Sequence, residues 1–167
     1  MSSQNRTQKI AFLGMLIALA MILSWLESQI PPLVAIPGMK LGLTNLVVLV
    51  SLYRVGEKEA LVINILRIIL VGVSFGNAFS IVYSLSGGLL SGGIMLFLKR
   101  TNRFKMVTVS IAGGVFHNVG QIMVAMLLLE TSALIYYLPF LWMSGIVAGV
   151  IVGEIAYQVT KRLPVME

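Results

Sequence analysis

Two long, predominantly apolar runs without a charged residue, Ile10 to Leu26 and Met106 to Leu129, restrict the fold of this chain more than any other feature. Each is close to the ~20 residues that cross a ~30 Å hydrocarbon core as an α-helix. Backbone groups cannot stay unpaired in lipid, so runs of this length are helices; they lack the period-two alternation of a membrane barrel. Composition agrees, with 58% hydrophobic and 11% charged residues against roughly 25% charged in an average soluble chain. The expected fold class is an all-α integral membrane protein, a six-transmembrane-helix bundle, with residues 1–167 forming one transmembrane domain. The first run is followed by Glu27, Gln29 and Pro31 rather than by a small-x-small cleavage site, so it reads as a mature helix and not as a signal peptide.

Apolar runs and breakers place helices at about 8–30, 41–53, 58–73, 78–98, 105–129 and 133–160. The second is the shortest: thirteen residues at ~1.5 Å each reach only about 20 Å. The second and third are therefore tilted, extended by their flanks, or a re-entrant pair. Arg6, Lys9, Arg54, Lys58, Lys99, Arg100, Arg103, Lys105, Lys161 and Arg162, ten of the twelve basic residues, fall on one side if six helices alternate. The positive-inside rule then puts both termini in the cytoplasm. The same scatter of short clusters between apolar runs argues against a nucleic-acid partner, despite a net charge of +6.

Two cations escape that rule: Lys40 in the loop after the first helix, and Arg67 near mid-depth of the third. An arginine there costs roughly 2.5–3.5 kcal/mol on insertion scales, so it needs a partner or a wet cavity. The partner is either a structural carboxylate, Glu27 or Glu154, or an anionic ligand, with Asn64 one turn earlier on the same face. Asn45, His117, Asn118 and Gln121 fall in the middle or outer half of their spans. His117 and Gln121, four apart, point to one side and can line a cavity together; helix-to-helix hydrogen bonding is the plainer alternative. Gly88 and Gly92, and Gly145, Gly149 and Gly153, have the small-residue spacing of close helix packing and carry no chemistry of their own.

Absences narrow the function. The chain has no aspartate, hence no aspartate-rich pair to hold Mg²⁺ against a diphosphate, and no GxxxxGK[ST] phosphate loop. Without cysteine, thiolate catalysis and thiolate metal sites are excluded, and a lone His117 is a poor metal ligand set. No nucleophile–base–acid set is visible. The reading is of a binding or transport subunit, not an enzyme, with no cofactor and no metal.

The segment SWLESQIPPLVAIPGMKLGLTNLVVLVSLYRVGEKEA, Ser24 to Ala60, resembles the signature region of the Gx transporter family, also labelled heptaprenyl diphosphate synthase component I and related to the S components of energy-coupling factor (ECF) transporters. Its most specific part is Pro37, Gly38, Lys40, Leu41, Gly42, Leu43 and Asn45. The resemblance implies six helices in a bacterial cell membrane and a ligand pocket opening outward beneath the loop after the first helix. There Pro31, Pro32 and Pro37 restrict the chain and Lys40 sits over the mouth. It also implies an ECF transmembrane (T) component and two ATPase subunits as partners, docked on a small-residue strip of the first helix. Ala11, Gly14 and Ala18 supply that strip approximately, without the first alanine of the usual A-x-x-x-A. Lys40, Asn45, Arg67, His117, Asn118 and Gln121 are the expected substrate-binding set, for a small amphipathic anion such as a quinone or isoprenoid precursor or a vitamin-like compound. The second label implies a non-catalytic membrane subunit in heptaprenyl diphosphate synthesis.

Overall fold

The computed structural model describes residues 3–29 and 42–163. In chain order these form α1 (Ser3–Gln29), α2 (Leu43–Arg54), α3 (Glu57–Phe75), α4 (Ala78–Arg100), α5 (Met106–Leu128), a short 3₁₀ helix (Ser132–Tyr137) and α6 (Leu138–Arg162). Local chemistry sets the boundaries. Asn77 and Ser80 form a reciprocal capping box at the start of α4. Thr131 caps the 3₁₀ helix, and a proline in the first turn of α6 sits where its missing N–H costs nothing. The sixth apolar run, expected as one helix from about 133, is thus a 3₁₀ turn followed by an α-helix. Between α2 and α3 only Val55 and Gly56 intervene; both donate to the Ser51 carbonyl, and Gly56 has a φ of 155°, which disfavours a side chain.

Hydrogen bonds and ion pairs gather the basic turns at one end of the bundle. Lys9 Nζ lies 2.7 Å from Glu59, Arg100 Nη2 lies 2.7 Å from Glu57, and Lys99 donates to the Leu52 carbonyl at 2.7 Å. Arg54 donates to the Thr160 carbonyl. The opposite end carries the close of α1, the start of α2, the α3–α4 turn and the 3₁₀ helix.

The shortness of α2 has a packing explanation. Seven of its residues, Thr44, Val47, Val48, Leu49, Val50, Ser51 and Leu52, are buried, because α1, α3 and α6 all pack on it. Val48, Leu49, Leu52, Ala60, Met95, Met106, Val109 and Ala156 make one core cluster at the basic end; Leu16, Ala20, Val47, Val55 and Ile63 make a second beneath α1. Large apolar side chains face outward instead on the other helices, including Met15 and Ile22 on α1, Phe97 on α4, Leu127 on α5 and Met143 on α6. Among the described residues four helices are long and apolar enough to cross a membrane: α1 over Thr7–Glu27, α4, α5, and the 3₁₀ turn with α6. An outward apolar surface of this extent is that of a membrane protein rather than of a monomer in water.

The glycines act as packing surfaces. A Cβ on Gly145 would stand 2.9 Å from the Gly114 backbone, and one on Gly149 2.5 Å from Ile111 Cα, so α5 and α6 touch backbone to backbone. Gly120 meets Ser86 and Gly87 in the same way between α5 and α4.

Candidate functional site: a polar cavity around Arg67

The ends of α1, α2 and α3 opposite the basic end, together with the facing parts of α4, α5 and α6, enclose a cavity of about 200 Å³. Its floor rests on the core through Met95, Ser110 and Val152; Ile68, Val71 and Phe75 supply apolar wall, and Thr44, Ser80 and Ser84 supply hydroxyls. Among the described residues three titratable side chains line it: Glu27, Arg67 and His117.

Arg67 is the most constrained of them. It is 7% exposed, which for a guanidinium in an apolar bundle requires compensating hydrogen bonds. Amides provide them. Nε and Nη2 donate to Asn64 Oδ1 at 3.2 and 2.9 Å, and Nη2 donates to Asn45 Oδ1 at 3.3 Å. Asn64, 2% exposed, is itself fixed, because its Nδ2 donates to the Gly88 carbonyl of α4 at 2.9 Å. A side chain on Gly88 would collide with Ile68 Cδ1, so this glycine brings the α4 backbone within reach of Asn64.

No carboxylate forms an ion pair with Arg67 among the described residues. Glu27 acts on it through its field, while its Oε1 accepts the Gly42 N–H at the start of α2. Gly42 is the N-cap of that helix, left-handed at φ 73°, and no cap side chain bonds the turn it opens. The Glu27 carboxylate thus offsets the positive end of α2. Glu154 is exposed on α6, where Gln158 donates to it at 2.8 Å, and plays no part in the cavity. Of the two structural carboxylates the sequence offered to Arg67, Glu27 is the one nearby.

The other expected site residues divide. Asn45, His117 and Asn118 line the cavity with Arg67. Asn118 spends its amide N–H groups on the Leu141 carbonyl at 2.7 Å and Ser144 Oγ at 3.4 Å, tying α5 to α6 and leaving Oδ1 as its remaining polar atom. Gln121, expected beside His117, is not among the lining residues. It is 2% exposed and lies under α4, where its Cγ would stand 2.7 Å from a Cβ on Gly87. The same Cβ would stand 3.2 Å from His117 Cε1, so both side chains meet Gly87 on one face of α5, and of the two His117 lines the cavity. Lys40, with Pro31, Pro32, Pro37, Gly38 and Leu41, lies outside the described residues. Sequence reasoning overlooked Thr44, Ser80, Ser84 and Ser110; Ser80 and Ser84, one helical turn apart within an apolar run, were the available signal.

Ala11, Gly14 and Ala18 are exposed on α1, and a Cβ built on Gly14 would meet nothing within 4 Å. Among the described residues no group of three or more His, Cys, Asp or Glu side chains is placed to hold a metal ion.

The fold and cavity define an all-helical membrane-type bundle with a polar interior chamber. The chain belongs to the heptaprenyl diphosphate synthase component I family, whose model matches residues 16–159. Comparison with curated proteins and with solved structures gives no match.

Proposed function

We propose that this chain is the substrate-binding membrane subunit, S component-like, of an ECF-type uptake transporter. In this reading six helices cross a bacterial cell membrane, both termini are cytoplasmic and the cavity opens to the outside. The observation that carries the proposal is Arg67: a buried guanidinium held by two amides, with no contacting carboxylate among the described residues, on the wall of a cavity lined by hydroxyls and apolar side chains. A charge kept in an apolar bundle at a cost of several kcal/mol marks a ligand pathway or site. The ligand is a small amphipathic anion, such as a quinone or isoprenoid precursor or a vitamin-like compound. Asn45, His117 and Asn118 provide neutral hydrogen-bonding groups beside Arg67; Lys40 guards the entrance, and Gln121 supports the wall from behind.

The exposed strip of Ala11, Gly14 and Ala18 is the docking face for a T component, because small residues let a partner helix approach closely in lipid. Two ATPase subunits complete the transporter, since the chain has no phosphate loop of its own. The chain catalyses nothing itself. Cells producing it alone are compared with cells producing it alongside a T component and ATPases. ATP-dependent uptake that requires all the subunits, and is lost together with complex recovery in Gly14→Leu and Ala18→Leu, is the expected result. Equal uptake by the chain alone would make it an autonomous carrier.

The family description favours a second reading, a non-catalytic membrane subunit in heptaprenyl diphosphate synthesis. With no aspartate in the chain, the Mg²⁺–diphosphate chemistry would belong to the other subunit. Co-purification with a prenyl synthase rather than with ATPases distinguishes the two.

A further inference from the structure

The hydrogen-bond inventory of Arg67 restricts what the cavity can hold. A guanidinium has five N–H donors. Nε–H is taken by Asn64 Oδ1 at 3.2 Å, and the two Nη2 hydrogens are taken by Asn64 Oδ1 at 2.9 Å and Asn45 Oδ1 at 3.3 Å. Only the two hydrogens on Nη1 are left. A bidentate fork to a carboxylate or phosphate needs parallel N–H groups on two different nitrogens. Every such pair on Arg67 includes Nε or Nη2, so the protein has used the fork on its own amides. A ligand meets a point donor, one nitrogen carrying a positive charge.

The surrounding charges set a second limit. Among the described lining residues Arg67 is the single permanent cation, and Glu27 places a carboxylate in the same chamber. Glu27 is attached to the Gly42 N–H, so the positive end of α2 is already met by a negative group. One further negative charge on a ligand is compensated by Arg67. A second or third meets no further cation among the described lining residues, in a low-dielectric chamber where an uncompensated charge is strongly disfavoured. The other polar groups of the lining, the hydroxyls of Thr44 and Ser84 and the Asn118 Oδ1, suit neutral functions.

The geometry points to a ligand with a single negative charge, a carboxylate or enolate oxygen contacting Arg67 Nη1 one-toothed on an otherwise neutral, partly apolar body; organic phosphates and prenyl diphosphates are rejected. This rests on the binding-site reading above and narrows it, removing the diphosphate branch of the isoprenoid precursors.

The test uses the purified full chain in detergent and three probes: 2-naphthoate with one charge, 2-naphthyl phosphate with nearly two, and geranyl diphosphate. Titration calorimetry is expected to show saturable binding of naphthoate, at least about tenfold tighter than of naphthyl phosphate, and none of geranyl diphosphate. Asn45→Asp, which sets a carboxylate against Nη2 and neutralises the site, is expected to weaken naphthoate by about tenfold or more while the thermal midpoint of the unliganded protein holds. Arg67→Lys is the second variant: an ammonium has no fork to lose, so the preference for naphthoate over naphthyl phosphate persists. Binding of either phosphate as tightly as naphthoate, dependent on Arg67, overturns the single-charge proposal and leaves the binding site standing. Absence of saturable binding for all three probes overturns both.

Discussion

Between α5 and α6 the backbones are in contact, and a side chain added at Gly145 or Gly149 would run into Gly114 or Ile111. On α1 the added side chain at Gly14 would meet nothing within 4 Å. Both regions are rich in small residues in an apolar sequence, and the sequence spacing does not tell them apart. In α4–α6 Gly93 faces open space, but Gly87, Gly114, Gly120, Gly145, Gly149 and Gly153 are consumed by the fold: they bring helices close enough to make a stiff wall on one side of the cavity. In α1–α3 the interior contacts are made by side chains, among them the Arg67, Asn64 and Asn45 set, and Ala11, Gly14 and Ala18 of α1 remain on the surface while Ala20 is buried. One half of the molecule is a scaffold; the other carries the charge and an unused strip.

Substitutions can break this contrast. The largest effect is expected for Gly149→Leu, which forces α5 and α6 apart: a loss of about 3 kcal/mol or more, seen as aggregation or a large fall in thermal midpoint in detergent. Asn64→Ala comes next. It removes two of the three hydrogen bonds that hold Arg67 and the Asn64 bond to the Gly88 carbonyl of α4. About 1–3 kcal/mol of stability should go with them, measured by the same melt. Gly14→Leu should change the stability of the isolated chain by no more than about 0.5 kcal/mol, even though it should abolish assembly with a transmembrane partner. A large stability loss there would mean that the α1 strip is packed within the protein.

The smallest effect belongs to the basic end. The hydrogen bond from Arg100 holds the Glu57 carboxyl below its ordinary range, with the charge of Arg100 and of Lys99 adding to it. A folded-state value below the unfolded one gives stability that is present above the unfolded carboxylate range and fades as the pH falls through the folded value. Because this pair is exposed to solvent, Glu57→Gln should produce only a slight loss at neutral pH, and the difference from the parent should vanish in acid. An unchanged difference at low pH would place the cause elsewhere.

The topology is checked independently. The native chain has no cysteine, so single cysteines at Asn102 and Thr131 report from opposite ends of the bundle. An impermeant reagent should label position 131 and spare position 102 in intact cells. The reverse pattern would place the cavity on the cytoplasmic side.

Much of the helical order was legible from the chain. Apolar runs marked helices α1 to α6, although α1 begins at Ser3 rather than at about 8 and α6 at Leu138 rather than at about 133, and the spacing of basic clusters anticipated the end at which Lys9, Arg54, Lys99 and Arg100 gather. Arg67 stood out because a buried arginine needs a reason, and Asn64 was on its face by helical spacing alone. Asn45 as its second brace was not legible, since that contact depends on how α2 and α3 pack. Nor was the burial of Gln121: the four-residue spacing puts it on one face with His117, but does not tell that this face packs against Gly87 of α4. The serines of α4 went unnoticed because a hydroxyl in an apolar run usually bonds its own helix, as Ser91 does with the Gly88 carbonyl.

The central claim is that Arg67 serves a ligand and not only the fold. It is tested most directly by titrating 2-naphthoate into the purified protein, into Arg67→Gln and into Arg103→Gln, at low and high salt. A desolvated charge contact outweighs a screened surface one by several-fold in free energy. The account therefore predicts that Arg67→Gln loses at least about tenfold in affinity at both salt concentrations, while Arg103→Gln binds as the parent does. Equal affinities for the two variants would contradict it and return Arg67 to a purely structural role.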